Sequence, residues 1–162
     1  MTFLCYQFIG NNQRVVNRFY KGHKQNVSCN SKDKVFVAAT SPETTNTANV
    51  TQLETTNGII AALIIRPTET PSSSGALLLR SLFVAPEFRH SGIGSKLTKL
   101  ATRTITNDIY CLCEPELIPF YKSLGFSLQA SQATKTSALI ANTTIDTQIK
   151  KGLCLMHSPF QR

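Results

Sequence analysis

A single mixed α/β (α+β) layer fold is predicted by three observations. Short β-branched and aromatic runs alternate with stretches of helical apolar spacing, their order reads β-α-β-β-β-α-β-α-β, and no internal repeat breaks the series. At 162 residues the sequence has the length of one domain, spanning 1–162, and a chain of this size buries roughly two thirds of the surface it exposes when unfolded. A hydrophobic fraction of 41% and a charged fraction of 16% exclude disordered and fibrous classes.

Residues 3–9 are aromatic and aliphatic and read as a first strand, ended by the turn and helix-start signal Gly10-Asn11-Asn12. The helix that follows carries Val15, Val16, Phe19 and Tyr20 at helical spacing, with Gly22 as its C-cap. Arg14, Arg18 and Lys21 take its other, solvated face. Runs 34–39 and 58–65 read as two successive strands. Between them, segment 40–57 is rich in Thr and Asn, too polar for a core of its own, and is expected to form a long hairpin connection or flap. A second loop falls at 67–75, after which 76–84 forms a strand that stops at Ala85-Pro86.

Ile93, Leu97, Leu100, Ala101 and Ile105 mark one face of the next helix, opposite Lys96, Lys99 and Arg103. A buried strand is predicted over 109–113. Leu117, Ile118, Tyr121 and Leu124 then recur at helical spacing, and Gly125 falls where a left-handed C-cap belongs. Pro119 lacks a backbone donor, which places the start of that helix near Leu117. The tail reads as a strand over 126–129, a helix over 139–150 and a last strand over 153–157.

Seventeen Lys and Arg against nine Asp and Glu leave a net charge of +8, which favours anionic partners: a phosphate-rich cofactor, an acidic acceptor or RNA. No run of five or more cations is present, which counts against a dedicated nucleic-acid arm. The first ten residues carry no basic leader, and no apolar run approaches a membrane span, so a cytoplasmic protein is expected. The Asn-x-Ser/Thr triplets at Asn26, Asn49 and Asn142 are accordingly read as chance matches. Five cysteines at irregular spacing fit reduced thiols. Cys111 and Cys113 form a C-x-C pair without a second ligand pair, so they read as buried side chains on one side of a strand and no metal site is expected.

The densest chemical signal is Leu82-Phe83-Val84-Ala85-Pro86-Glu87-Phe88-Arg89-His90-Ser91-Gly92-Ile93-Gly94: a strand, a loop and a helix start. Glycines ahead of a helix let successive amides converge on one point, and the helix dipole adds positive potential there. The result is a diphosphate cradle, to which Arg89 and Ser95 can add donors. A tight helix entrance without a ligand would use the same residues. The spacing is neither that of a P-loop nor G-x-G-x-x-G.

These residues resemble motif A of the GNAT superfamily of N-acetyltransferases, V-x-P-x-x-R-x-x-G-I-G, with Val84, Pro86, Arg89, Gly92, Ile93 and Gly94 at every fixed position. Leu117-Ile118-Pro119-Phe120-Tyr121-Lys122-Ser123-Leu124-Gly125-Phe126 looks like motif B. The resemblance covers 58–126, and the flanks only by element order. It implies a small single-domain member with a twisted, mixed, mostly antiparallel sheet of six to seven strands, flanking helices, and a V-shaped splay between the fourth and fifth strands. It implies acetyl-CoA as co-substrate, with pantetheine in that splay against the backbone of Leu82, Phe83 and Val84. The pyrophosphate would lie on Arg89, His90, Ser91, Gly92, Ile93, Gly94 and Ser95, with Leu117 and Tyr121 also at the cofactor. A homodimer is common in such folds, although no residue here demonstrates one.

Amine attack on a thioester needs a neutral nucleophile, an oxyanion donor and a proton for the leaving thiolate. Tyr121 matches the family tyrosine that supplies this proton, and a phenol stays protonated at neutral pH. Many relatives remove the proton from the ammonium with a carboxylate on the fourth strand. Here Leu79, Arg80, Ser81 and Leu82 include no acid, which leaves Ser81, through a water, and Glu114 as candidate catalytic groups. His90 sits in the phosphate loop, where cofactor contact or solvent is expected, and His23 and His157 read as surface residues. A CoA-binding regulatory module without turnover is the alternative, and a basic RNA-binding protein the more distant one.

Overall fold

A computed structural model of the chain describes residues 3–9, 13–40, 58–68, 75–129 and 143–160. The turn signal at Gly10-Asn11-Asn12, the connection predicted within 41–57, the middle of the second loop and the start of the predicted tail helix lie outside these residues. In chain order the elements are β1 (Phe3–Phe8), α1 (Gln13–Gly22), β2 (Lys34–Thr40), β3 (Ile59–Pro67), β4 (Leu77–Val84), α2 (Ile93–Thr104), β5 (Ile109–Cys113), α3 (Ile118–Ser123), β6 (Ser127–Leu128), α4 (Thr143–Lys150) and β7 (Cys154–Ser158). Single 3-10 turns occupy Pro86–Phe88 and Pro115–Leu117.

Among the described residues seven strands form one sheet in the order β1-β2-β3-β4-β5-β7-β6. β1 and β2 are antiparallel, as are β5 with β7 and β6 with β7, whereas β4 and β5 run parallel. The parallel register holds Leu77 against Ile109, Leu78 against Tyr110 and Leu79 against Cys111, while β4 itself continues to Val84. A mixed sheet with a parallel fourth and fifth strand is thus the observed architecture, as expected.

The chain divides into two compact units, Met1–Ile64 with Ser81–Ala101, and Ile65–Arg80 with Thr102–Arg162. In the first, α1 buries Val15, Val16, Phe19 and Tyr20, the four apolar positions that its spacing sets on one face. They pack with Val35, Val37, Ala62, Ile64 and Ala85, and Tyr6, Phe8, Phe83 and Phe88 close the margin of this core.

In the second unit, alternation along β5 separates two faces. Tyr110 and Leu112 join Ala76, Leu78, Leu155 and the α4 residues Ile145 and Ile149 in one cluster. On the opposite face, Cys111 and Cys113 are buried, and both act electrostatically on the phenol of Tyr121. The α3 region differs from its predicted form in one respect. A 3-10 turn on Pro115 leads into the helix, so Leu117 is an N-cap residue at φ −89 and is 46% exposed instead of buried on the helix face. Proline fixes φ and removes a donor, which favours the tighter turn ahead of the helix.

Candidate active site

The first unit carries the loop between β4 and α2. Pro86 starts a 3-10 turn in which Phe88 N donates to Ala85 O at 2.9 Å and Arg89 N to Pro86 O at 3.3 Å. The chain then turns through His90 at φ 61 and Gly92 at φ 77. Both lie in the left-handed region, which glycine adopts without cost and histidine only with strain. A Cβ on Gly92 would meet nothing within 4 Å, so backbone conformation, not crowding by the protein, is what requires glycine there.

Lys96 N closes onto Gly92 O at 3.0 Å as α2 begins at Ile93. The amides of Ile93, Gly94 and Ser95 stand ahead of that bond, in the first turn, where a helix supplies its donors with no partner of its own. Ile93 and Leu97 anchor the helix in the core, and buried Thr98 returns its hydroxyl to Gly94 O at 2.9 Å. Gly92 and Ser95 stay accessible at the mouth.

Two side chains of this loop are engaged by the protein itself, the predicted donor Arg89 and its neighbour Ser91. Arg89 is exposed, but its Nε donates to Val84 O at 3.1 Å and its guanidinium carbon lies 5.6 Å from the centre of the Phe83 ring. The Ser91 hydroxyl donates to Phe88 O. Cation–π contact and the carbonyl bond thereby fold Arg89 back on β4.

Ser81 and Phe83 alternate onto one side of β4. The Tyr20 phenol donates to Ala62 O at 3.0 Å and is hydrogen-bonded with the Ser81 side chain. Burial pushes this phenol far above its ordinary range. His23, read from sequence as a surface residue, instead packs its ring 4.9 Å from Phe19 and 5.3 Å from Phe83. Sequence reasoning missed both contacts of α1 with β4. Tyr20 stood at an apolar helix position with an unspent hydroxyl, which was the available signal.

The second unit carries Glu114, Leu117 and Tyr121. Glu114 is exposed in extended conformation at φ −61, and its carbonyl, not its carboxylate, caps the turn by accepting from Leu117 N at 3.0 Å. Tyr121 is 5% exposed, and its ring stands edge-on to Phe120 at 5.1 Å and Phe126 at 5.4 Å. Its carbonyl accepts from Leu124 N and Phe126 N, and Gly125 turns between them at φ 90 as the left-handed cap that the spacing predicts. Burial first, then Cys111 and Cys113, pushes the phenol well above the ordinary value. It is an acid that keeps its proton at any physiological pH.

His157, also read as a surface residue, is stacked on Tyr110 at 4.4 Å and lies 3.4 Å from Asp108. Cross-strand pairing puts the two rings on one face of β5 and β7.

A strand, a glycine-bearing loop and a helix start in a mixed sheet define an α/β protein. The description "Acetyltransferase (GNAT) domain" matches residues 32–128, and the chain belongs to this family of acetyltransferases. No curated protein sequence matches. Among solved structures, an acetyltransferase of the GNAT family from Staphylococcus aureus Mu50 is similar over 99% of this chain and 100% of its own, at 12% identity and a TM-score of 0.55. Tetrahymena GCN5 is similar over 99% of this chain and 97% of its own, at 12% identity and a TM-score of 0.58. N-acetylglutamate synthase from Neisseria gonorrhoeae, solved with coenzyme A and N-acetyl-glutamate, is matched over 100% of this chain and 36% of its own, at 8% identity and a TM-score of 0.58. At such identities these likenesses establish the fold.

Proposed function

We propose that this protein is an acetyl-CoA-dependent N-acetyltransferase that acetylates a primary amine by direct attack in a ternary complex, in the cytoplasm. The observation that carries the reading is the mouth of α2, where Gly92 at φ 77 precedes the first-turn amides of Ile93, Gly94 and Ser95. Donors so arranged suit a diphosphate, and the fold family uses coenzyme A. When bound, this group supplies the acetyl thioester. Free thiols at all five cysteines agree with a reducing compartment.

In this reading Leu82, Phe83 and Val84 offer strand backbone to the pantetheine amides, and residues 89–95 hold the pyrophosphate. Leu117, exposed on its turn, offers apolar contact. The amine lone pair attacks the thioester carbonyl, and Tyr121 gives its phenolic proton to sulfur as the C–S bond breaks. A phenol raised by burial is a weaker acid than the leaving thiol, so its proton moves only in concert with C–S cleavage and is replaced by the proton that the attacking nitrogen releases. Glu114 is the better of the two base candidates, because its carboxylate is exposed and makes no capping bond. Ser81 is already paired with Tyr20, which leaves it the weaker candidate, acting through an ordered water.

Acetyl-CoA should raise the melting temperature, by linkage worth about 2.7 kcal/mol at a hundredfold excess over its Kd. Thiol release across a panel of amines should then identify acceptors. Stabilisation without thiol release would favour a regulatory CoA-binding module, and no stabilisation would count against both. Tyr121→Phe should lower kcat by roughly 10²-fold or more while leaving acetyl-CoA affinity within a few-fold, because the ring stays and the acid goes. Unchanged kcat would remove Tyr121 from the acid role.

A further inference from the structure

Three of the five thiols gather on one face of the second unit, beside the tyrosine assigned above as acid. Antiparallel pairing of β5 and β7 sets Cys113 directly opposite Cys154, two positions along from Cys111 opposite Met156. Directly opposed residues on antiparallel strands point to the same face with Cα atoms about 4.5–5.5 Å apart. That separation lies inside the range a disulfide spans. Cys111 and Cys113, by contrast, project side by side from one strand about 6.5–7 Å apart, at the outer limit of that range. Cys111 faces a thioether, so Cys113 and Cys154 are the pair that the register matches.

No three His, Cys, Asp or Glu side chains among the described residues converge as a metal site, which leaves this pair to thiol chemistry. Cys113 is 4% exposed and Cys154 is partly exposed. Each thiol is therefore suited to a different step: Cys154 can be reached from solvent, and Cys113 is buried from solvent opposite it.

We propose that Cys113 and Cys154 form a reversible disulfide that responds to small-molecule disulfides and restrains acetyl transfer. In the first step the Cys154 thiolate attacks one sulfur of the small disulfide, forming a mixed disulfide and releasing one thiol. The Cys113 thiolate then attacks the Cys154 sulfur, the protein S–S bond forms, and the second small thiol leaves. The protein loses two protons and two electrons, and the small disulfide gains them. Burial pushes the Cys113 thiol up, which lowers its thiolate fraction and slows the closing attack.

The disulfide cross-links the end of β5 to β7. It removes the Cys113 thiol from the surroundings of Tyr121, whose helix α3 follows β5 after one short turn. Displacing a proton donor by even about 1 Å can cost on the order of 10²-fold in rate. This effect on turnover rests on the acetyltransferase reading, whereas formation of the bond does not.

The test treats the full chain with oxidised glutathione, blocks residual thiols and maps peptides by mass spectrometry before and after reduction. A single reducible Cys113–Cys154 peptide, two hydrogens lighter than its parts, is expected. Cys154→Ser should abolish that peptide, keep basal turnover and remove the oxidant's effect, which in the native protein is a loss of tenfold or more restored by dithiothreitol. Linkage of other cysteine pairs, or persistent glutathionylation of Cys154 without closure, would overturn the site. Full turnover in the cross-linked protein would overturn the restraint. The peptide map is read without any acetyl acceptor, so it stands even if acetyl transfer does not.

Discussion

The phenol of Tyr20 is fully buried, donates to Ala62 O at 3.0 Å and meets the Ser81 hydroxyl. Tyr20→Phe keeps the ring and the packing but strands a buried carbonyl and a hydroxyl. The expected cost is about 1–3 kcal/mol, seen as a lower urea midpoint with an unchanged slope. An unchanged midpoint would mean that water replaces the phenol at no penalty. Helical spacing of Val15, Val16, Phe19 and Tyr20 was enough to place this side chain inside. Its partners were not legible, because Ala62 and Ser81 are remote in sequence and only strand pairing brings them to α1. His23 teaches the same lesson, since its seat between Phe19 and Phe83 depends on where β4 runs. At Tyr121 the helix position could be read from the motif, while the two thiols that raise its phenol came from the parity of β5.

At the scale of elements, the strand–loop–helix unit from β4 to α2 was the most legible part of the chain. Glycine at positive φ, proline at a turn start and an amphipathic helix are local requirements, and local requirements appear as residue types. Gly92→Asp tests the unit. An aspartate at φ 77 costs about 1–2 kcal/mol of backbone strain and puts an anion where the proposed diphosphate sits. Acetyl-CoA affinity should fall at least tenfold by calorimetric titration, and retained affinity would contradict the placement. Crowding by the protein plays no part, since no protein atom lies within 4 Å of a Cβ there. What the motif could not reveal is the orientation of Arg89, turned back on Phe83 and Val84. Nor could it show the 3-10 turn that exposes Leu117, where two prolines compete with helix extension.

For the whole molecule, the groups most strongly raised by burial among the described residues lead the response to alkali. The Tyr20 and Tyr121 phenols and the Cys111 thiol are held by burial far above their ordinary values of 10.0, 10.0 and 9.0. Unfolded, they ionise near those values; folded, they keep their protons. The folded state therefore binds more protons above about pH 9, so this stability is complete below the ordinary values and is lost as pH rises through them. Each group adds up to about 1.4 kcal/mol of destabilisation per pH unit beyond its ordinary value. Urea midpoints should thus be nearly level from pH 7 to 8.5 and drop steeply by pH 10.5, with a shallower drop in Tyr20→Phe. A midpoint independent of alkali would show that these groups ionise within the folded chain.

The amino-acid sequence by itself determined the alternation of strands and helices, the glycine loop, the left-handed cap at Gly125 and the membership of the two motifs in one family. Those features depend on steric and hydrogen-bonding demands met within a few residues. Tertiary structure alone decided which strand lies beside which, and so which side chains meet: Tyr20 with Ser81, His157 with Tyr110, Cys113 with Cys154. Sheet order and register join segments far apart in the chain, and a period of two puts every residue on one face or the other only once its partner strand is known.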